Sequence, residues 1–508
     1  MPELDDLLDD YLDAVLERNP HIATVLGVHE YDSELPSGTR ASVDDEIDAA
    51  RSLRDELDGF EGYEAELARA SLDYDLYEMD ELRLWERDPQ AADAVVSFVY
   101  PLYTRNFAPF YERMERIADR LEGVPGYLEE SRDRVVEPVE AWVELEREAC
   151  ETVPGFLQLV ADEAGEMERQ DLAYRVSVAC EKVVDALDEH VEWLDSLETT
   201  DATDADKDWR VGRETLDELL EKRCLPPSDE TVSMAEEELT EANGALADAV
   251  EAMGAEPTDA VDAVEADRPA PDAVLDEYID AVHEARSFAA SVIEMPEEGV
   301  NVAETPGYVA PLIPDTAYFE PTPFGDETPS YYVTPSGDHP RAEIVGRAVS
   351  DLYPGAHLQK SFEAANPSKA VLLAGRFNAF GDDFVEGWRG YAERLAVESG
   401  YGDARFRAYV ARNRIVSACR AIVDIRMQTG DMTLRDAAEF LADEAGIEGE
   451  QAVAEAREYS RGPGEQVSRL VGTNALLELC EGANAEFRSR LLDGGGVPVE
   501  FHKKRLLR

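Results

Sequence analysis

One short segment of the chain carries side chains of the kind that metal-dependent hydrolysis uses. The segment SDLYPGAHLQ, from Ser350 to Gln359, contains Asp351 and a single histidine, His357. Further along, FVEGWRGYAERL places Glu386 in a pattern typical of a helix. A hydrolytic zinc site needs three protein ligands and an open position for water, and a carboxylate takes the proton from that water. His357 and Glu386 are therefore candidate metal ligands, and Asp351 is a candidate general base.

These residues also have simpler explanations. A lone histidine is more often a satisfied core or pocket histidine than a metal ligand, and Glu386 could be an ordinary helix carboxylate. Asp382 and Asp383 are interpreted as solvated or helix N-terminal acids. Whether these residues form a site or have these simpler roles depends on where the surrounding helices and loops place them.

The charge of the chain limits its partners. Its 508 residues include 113 acidic and 47 basic side chains, for a net charge of −66, and only seven of the basic ones are lysines. Such a surface repels nucleic acid and anionic membranes, so neither is expected as a partner. An acidic partner-binding protein is one interpretation. Adaptation of the whole surface to high salt is favoured, because the acid is spread evenly and the Debye length in molar salt is only ~3 Å.

The start of the chain and its apolar runs indicate the compartment. The first residues, MPELDDLLDDYLDAVL, have neither the basic nor the apolar region of a signal peptide. No uncharged run reaches the ~18 residues of a membrane span. We therefore expect a cytoplasmic protein in a high-salt cytosol. No pattern indicates the oligomeric state.

Helical periodicity dominates the pattern of apolar residues and predicts a mainly α fold. Similar stripes recur through 1–295 and again in 341–508. Between them, 296–340 is rich in proline, glycine and aromatic residues, and its β-prone runs Ala317–Phe319 and Ser330–Thr334 predict a small antiparallel element. These three regions are expected to form one integrated fold. The first stripe consists of Leu4, Leu7, Leu8, Tyr11, Leu12, Val15 and Leu16.

Four motifs make the chain similar to a known family. They are SDLYPGAHLQ, FVEGWRGYAERL, AIVDIRMQ and EYSRGPGEQVSRLVG. Over nearly its whole length the chain resembles the family called domain of unknown function 885, whose corresponding motifs are HExxPGHHxQ, FxEGWALYAExL, VVDTGxH and RYxxxPGQAxxYxxG. The resemblance implies a large helical, gluzincin-like architecture similar to thimet oligopeptidase, and zinc metallopeptidase chemistry. It identifies the chain as a haloarchaeal-type member with a degenerate metal motif.

The resemblance assigns roles residue by residue. His357 and Glu386 keep the type of the family's metal ligands, and Tyr459 keeps a tyrosine that precedes the last loop. Asp351 stands where the general-base glutamate is expected. It is one methylene shorter, and a misplacement of about 1 Å can cost roughly 10²-fold in rate. Three positions where the family has histidine are occupied by Ser350, Ala356 and Gln428.

The last motif has changed in the same way. Glu458 replaces an arginine, Glu465 a glutamine and Arg469 a tyrosine, whereas packing residues such as Trp388 and Gly472 are kept. Loss of polar ligands on a retained scaffold is the pattern of a pseudoenzyme.

Three functions follow as hypotheses. The favoured one is a catalytically inactive, metallopeptidase-like protein without a cofactor, which binds a peptide or protein partner in the vestigial site. The alternative is a hydrolase with an altered metal shell of Asp351, His357 and Glu386, a carboxylate-rich set that favours a divalent cation harder than zinc. The third is a metal-independent enzyme or a structural subunit on the same scaffold.

Overall fold

Helices dominate the structure, a computed structural model that describes residues 3–198, 209–254, 264–296, 299–365, 368–447 and 449–507. Helix accounts for 71% of it, and a small sheet has three strands, so the predicted mainly α fold is confirmed. No helix in this part of the chain is both long enough and apolar enough to cross a membrane.

The chain folds into two compact units, and the first contains most of the N-terminal residues. It comprises Met1–Trp209 with the short segments Gly307–Leu312 and Thr322–Glu327. Its helices are α1 (Leu4–Arg18), α2 (Pro20–Leu26), α3 (Arg40–Glu56), α4 (Tyr63–Leu76), α5 (Ala92–Thr104), α6 (Phe110–Ser131), α7 (Glu140–Gly165) and α8 (Gln170–Ser196).

The second unit carries all four family-like motifs. It comprises Arg210–Pro306, Ile313–Pro321 and Thr328–Arg508. Its helices are α9 (Arg213–Lys222), α10 (Ser228–Met253), α11 (Val274–Val292), α12 (Arg341–Arg347), α13 (Ala356–Ala365), α14 (Lys369–Gly375), α15 (Asp382–Glu398), α16 (Ala404–Thr429), α17 (Leu434–Phe440), α18 (Glu450–Arg461), α19 (Ser468–Leu479), α20 (Ala485–Leu492) and α21 (Val499–Leu507).

The first helix shows how the apolar stripe becomes a buried face. A capping box between Glu3 and Asp6 satisfies backbone N–H groups at the start of α1. The helix ends before Asn19, and Pro20 opens α2 at a position that needs no N–H donor. The buried residues of α1 are Leu8, Leu12, Val15 and Leu16.

The sheet lies in the region whose composition predicted it. Strands β2 (Thr316–Phe319) and β3 (Ser330–Val333) pair antiparallel, with Tyr318 opposite Tyr331. A third strand, β1 (Asn301–Glu304), pairs with β3 in parallel, so the sheet is mixed rather than purely antiparallel. The run NVAE is too short and too polar to indicate a strand by itself, and its pairing with β3 is a tertiary contact.

Two glycines bring α15 and α19 into backbone contact. A Cβ atom on Gly472 would lie 1.6 Å from the carbonyl oxygen of Asp383, and one on Gly387 would lie 2.5 Å from the carbonyl carbon of Gly472. On α15, the buried Trp388 also donates a hydrogen bond from Nε1 to the carbonyl oxygen of Pro354 at 2.8 Å. Helix α15 is therefore held both to α19 and to the turn that precedes α13.

Candidate functional site

A break in the helical chain separates the polar residues of the SDLYPGAHLQ segment. Helix α12 continues into one wider π-helical turn, Ala348–Leu352, and α13 follows after a short turn. That turn is tight, because a Cβ atom on Gly355 would lie 1.9 Å from the carbonyl oxygen of Ser350. Ser350 and Asp351 therefore belong to one helical element and His357 to the next.

The second unit contains a cavity of about 480 Å³ with a largely charged wall, which we call the acidic cavity. Its volume lies within the roughly 300–1,000 Å³ of small-molecule sites. Helices α12, α15, α16 and α19 and the loop before α19 contribute side chains. The wall is formed by Glu343, Arg347, Ser350, Asp351, Asp382, Glu386, Tyr409, Asn413, Val416, Ser417, Arg420, Glu465, Gln466, Ser468 and Arg469.

The three arginines of this wall are each paired with a carboxylate of the chain. The pairs are Arg347 with Glu343, Arg420 with Glu455 at 3.0 Å, and Arg469 with Glu393 at 3.1 Å. Burial by itself would raise the pKa of Glu393, and its contacts with Arg469 and Asn413 oppose that effect. The positive charge of the wall is thus already neutralised from within the fold.

Three carboxyl groups of the wall lack such a close partner. The nearest cation to Glu386 is Arg389, whose Nε lies 4.0 Å from the carboxylate. Asp382 and Glu465 form no ion pair with any cation in the described part of the chain. Burial raises the pKa of both, Arg223 opposes the rise at longer range, and a neighbouring carboxylate adds to it. The unpaired charge of the cavity is therefore negative.

Asp351, the predicted general base, lies in the same wall but has hydrogen-bond donors of its own. It accepts hydrogen bonds from the hydroxyl of Tyr331 and from Oγ of Ser350, both at 3.3 Å. An Nη atom of Arg389 lies 3.9 Å from Oδ1 of Asp351, the oxygen that accepts from Ser350. Asp351 and Glu386 thus share one cavity and are linked by the same arginine.

His357 lies in the core rather than in the wall of the cavity. Its ring is fully buried edge-on between Tyr318 and Tyr353, and Nδ1 lies 2.9 Å from the Tyr318 hydroxyl. Burial, with a contribution from Arg286, lowers the pKa of His357 to about 4, so the ring is neutral at pH 7. Ala356 is buried next to it at the start of α13.

Gln428 and Tyr459 also lie outside the cavity wall. Gln428 is fully buried, where its amide nitrogen donates to the carbonyl oxygen of Ser460 at 3.3 Å and its oxygen accepts from the N–H of Val211 at 3.2 Å. The Tyr459 hydroxyl donates to Glu455, the carboxylate that pairs with Arg420. Both side chains stabilise the scaffold around α16 and α18.

The candidate metal ligands are divided between the cavity wall and the core. Asp351 and Glu386 share the cavity, but His357 is enclosed elsewhere. Among the residues that the structure describes, no three His, Cys, Asp or Glu side chains are grouped so as to hold a metal. The altered metal shell of Asp351, His357 and Glu386 stays a prediction.

Two buried carboxyl groups support the wall from behind. Asp383, next to Asp382 at the start of α15, accepts the N–H of Val499 at 3.0 Å. Asp424 on α16 accepts the N–H groups of Gly464 and Gln466 at 3.0 and 2.9 Å, which fixes the loop that carries Glu465. Burial raises the pKa of both aspartates to about 7. Asp382 and Asp383 are helix N-terminal acids, as interpreted, but Asp383 is buried rather than solvated.

The sequence patterns did not indicate the ion pairs of the wall arginines or the polar face of α16. A signal for them was present. Glu343, Arg347 and Asp351 recur at spacings of four along one helical face. Glu465 and Arg469 were noted only as departures from the family motif, and the structure brings both to the cavity.

Comparisons with known proteins identify relatives of unknown function. The family model described as "Bacterial protein of unknown function (DUF885)" matches residues 20–506. A structure of a candidate lipoprotein of unknown function from Shewanella oneidensis is similar with a TM-score of 0.77 and 17% identity, covering 100% of both chains. A candidate lipoprotein from Colwellia psychrerythraea gives a TM-score of 0.78 and 14% identity, over 99% of this chain and 98% of that one. At these identities the likeness shows the fold alone. A comparison with curated proteins gives no match.

Proposed function

The chain belongs to the DUF885 family of bacterial proteins of unknown function, and we propose that it binds the amino group of a peptide or protein partner in the acidic cavity without hydrolysing it. The charge pairing of the wall supports this proposal. Its arginines are occupied by carboxylates, which leaves Glu386, Asp382 and Glu465 to face a ligand. An ammonium group has three hydrogen-bond donors and one positive charge, so it complements several carboxyl groups around one cavity.

The chemistry of the site favours binding over hydrolysis. Asp351 accepts two hydrogen bonds from neighbouring hydroxyls, and its side chain is shorter than that of the glutamate expected at a general-base position. Nδ1 of His357 lies against the Tyr318 hydroxyl, and His357 does not line the cavity that Asp351 and Glu386 line. The hydrolase with an altered metal shell would need these three residues at one point.

The amino group is tested with three related peptides. We expect Ala-Ala-Ala and its C-terminal amide to bind, in isothermal titration at fixed ionic strength, because both carry a free ammonium group. N-acetyl-Ala-Ala-Ala has no such charge and should bind at least about tenfold more weakly, a loss of about 1.4 kcal/mol. Equal affinity for the acetylated peptide would refute recognition of the amine.

A variant assigns the binding to the cavity. Glu386→Gln keeps the shape of the side chain and removes its charge, so it should weaken Ala-Ala-Ala about tenfold. Glu398→Gln, on an exposed turn of the same helix, is the matched control and should leave the affinity unchanged.

Turnover and metal content test the absence of hydrolysis. The same peptides are incubated with the protein alone and with added zinc, manganese or cobalt, and elemental analysis is made of protein purified without chelator. We expect no cleavage products and no stoichiometric metal. One metal per chain together with cleavage abolished by Glu386→Ala would favour the hydrolase instead.

A high-salt cytosol is the compartment that we propose for this binding. The even spread of acidic residues and the scarcity of lysine support it. Fractionation of cells that express the natural gene, followed by detection with an antibody, tests the location. Recovery in the membrane fraction would contradict it.

A further inference from the structure

The first unit has a cleft of its own, of about 420 Å³, which we call the N-terminal cleft. It is formed by residues of α1, α2, α3, α5 and α6 and the loops between them. Its size also lies within the roughly 300–1,000 Å³ of small-molecule sites. None of its residues belongs to the acidic cavity, so its function is independent of the function proposed above.

Aromatic rings form one side of the cleft. Phe98 and Tyr127 meet edge to face, with ring centroids 5.0 Å apart and planes at 87°. His21 approaches Phe98 in the same way, with centroids 5.5 Å apart. Phe98 and Tyr127 are buried against the core, so this side is rigid and suits a flat apolar group.

Two arginines at the cleft are not paired with carboxylates. The guanidinium of Arg134 lies 5.8 Å from the centroid of the Tyr127 ring, and its Nη2 donates to the Tyr127 hydroxyl at 3.4 Å. Arg18 donates from Nε to the carbonyl oxygen of Ala14 at 3.1 Å. Two carboxyl groups, Glu46 and Asp93, also line the cleft, and neither arginine forms an ion pair with them in the described part of the chain. Burial raises the pKa of Glu46, and Arg18 opposes that rise at longer range.

This absence is informative because carboxylates are in large excess. The chain has 113 acidic residues for 47 basic ones, and other arginines of the same unit are paired. Arg175, for example, contacts both Asp119 and Glu122 at 2.6 and 2.7 Å. A guanidinium that stays unpaired in such a chain and lines a cleft is available to an external anion.

A buried ring nitrogen without a partner lies beside the aromatic side of the cleft. Nδ1 of His21 is shielded from solvent and has no hydrogen-bond partner among the described residues. Burial and the nearby Arg120 lower the pKa of His21 to about 4, so the imidazole is neutral at pH 7. A neutral imidazole can donate to or accept from a polar ligand atom, and an unsatisfied buried nitrogen is costly.

We propose that the N-terminal cleft binds a small organic anion with an aromatic body. The anionic group pairs with Arg134, and with Arg18 where the ligand reaches that far. The flat body packs against the side of the cleft formed by Phe98 and Tyr127. A carboxylate and a phosphate ester share this chemistry, and the experiment distinguishes them.

Ligand-observed NMR with four probes of the same ring tests the charge preference. Benzoate and phenyl phosphate carry the anion, benzamide is neutral and benzylamine is cationic. Affinities on the order of millimolar are expected for fragments of this size. We expect at least one anion to bind about tenfold more tightly than benzamide, with benzylamine weakest. Equal binding of the three charge types, or no binding by either anion, would overturn the proposal.

Variants assign the binding to this cleft. Arg134→Gln should weaken the preferred anion about tenfold, and Arg134→Lys should recover part of the loss because it restores the charge. Arg147→Gln is the control, since Arg147 lies on α7 of the same unit and pairs with Asp195 at 2.6 Å. It should leave binding unchanged. Circular dichroism of each variant separates lost binding from lost folding, and a folded Arg134→Gln that binds normally would refute the assignment.

Discussion

The hydroxyl of Tyr318 lies 2.9 Å from Nδ1 of His357, inside the core of the second unit. The contact joins β2 to the start of α13. It satisfies one polar atom of the buried histidine and one of the partly buried tyrosine, so the single histidine of the metal-like motif is part of the packing.

Removing either partner of this pair should destabilise the protein without changing the acidic cavity. We expect His357→Ala to lower the free energy of unfolding by about 2–4 kcal/mol, because it leaves a void and removes the contact between the ring nitrogen and the Tyr318 hydroxyl. Tyr318→Phe should cost about 1–2 kcal/mol. Denaturant unfolding gives the stability, and titration of Ala-Ala-Ala gives the affinity. A His357→Ala protein of normal stability that no longer binds the peptide would show that His357 belongs to the binding site.

The close approach of α15 and α19 should make Gly472 intolerant of substitution. In Gly472→Ala the new Cβ would collide with a backbone carbonyl of Asp383, which cannot move like a flexible side chain. We expect a loss of at least about 2 kcal/mol in denaturant unfolding. Gly244→Ala, in the middle of α10 with no atom within 4 Å of the new methyl group, is the control. It should be neutral or stabilising by about 0.5–1 kcal/mol, since alanine favours helix.

Asp383 should make the protein more stable at mildly acidic pH. Its pKa is raised to about 7 by burial, so the folded state keeps a proton that the unfolded state has already lost. Stability from this group therefore falls as pH rises from the ordinary carboxyl pKa, near 4, towards 7. Between about pH 7.5 and about pH 5.5 the contribution of Asp383 to the free energy of unfolding should increase by about 2 kcal/mol, and Asp424, whose pKa is also raised to about 7, should add to the total.

Asp383→Asn, whose amide oxygen can still accept the N–H of Val499, should lose this part of the pH dependence. Asp280→Asn, which changes an exposed acid on α11, is the control and should keep the pH dependence of the wild type. Parallel pH profiles for the wild type and Asp383→Asn would show that Asp383 is ionised in the folded protein.

Salt should stabilise the whole chain. A net charge of −66 on a folded protein produces strong self-repulsion, which is screened as the Debye length falls from ~10 Å at 0.1 M to ~3 Å at 1 M salt. The midpoint of thermal unfolding, followed by far-UV circular dichroism, should rise steeply from dilute buffer to molar potassium chloride. A protein equally stable in both would contradict adaptation to high salt.

The local pattern of the sequence predicted the helices, two of the three strands and the family, but not strand β1. The stripe from Leu4 to Leu16 predicts a helix and supplies its buried face, because the 3.6-residue period acts between close neighbours. The same holds for β2 and β3, whose composition differs from the helices around them. The motif residues around Trp388 are equally readable, since they are packing residues of one helix.

Only the tertiary structure decided which polar residues share the cavity. The wider turn at Ala348–Leu352 and the break that follows place His357 on a different helical element from Asp351, and only Asp351 lines the cavity. A change of one residue in helical register moves a side chain by about 100°. Arg469 is neutralised by Glu393, a residue that is distant in sequence and near only because two glycines let α15 and α19 touch. The net charge of a site depends on such long-range pairs, and periodicity carries no information about them.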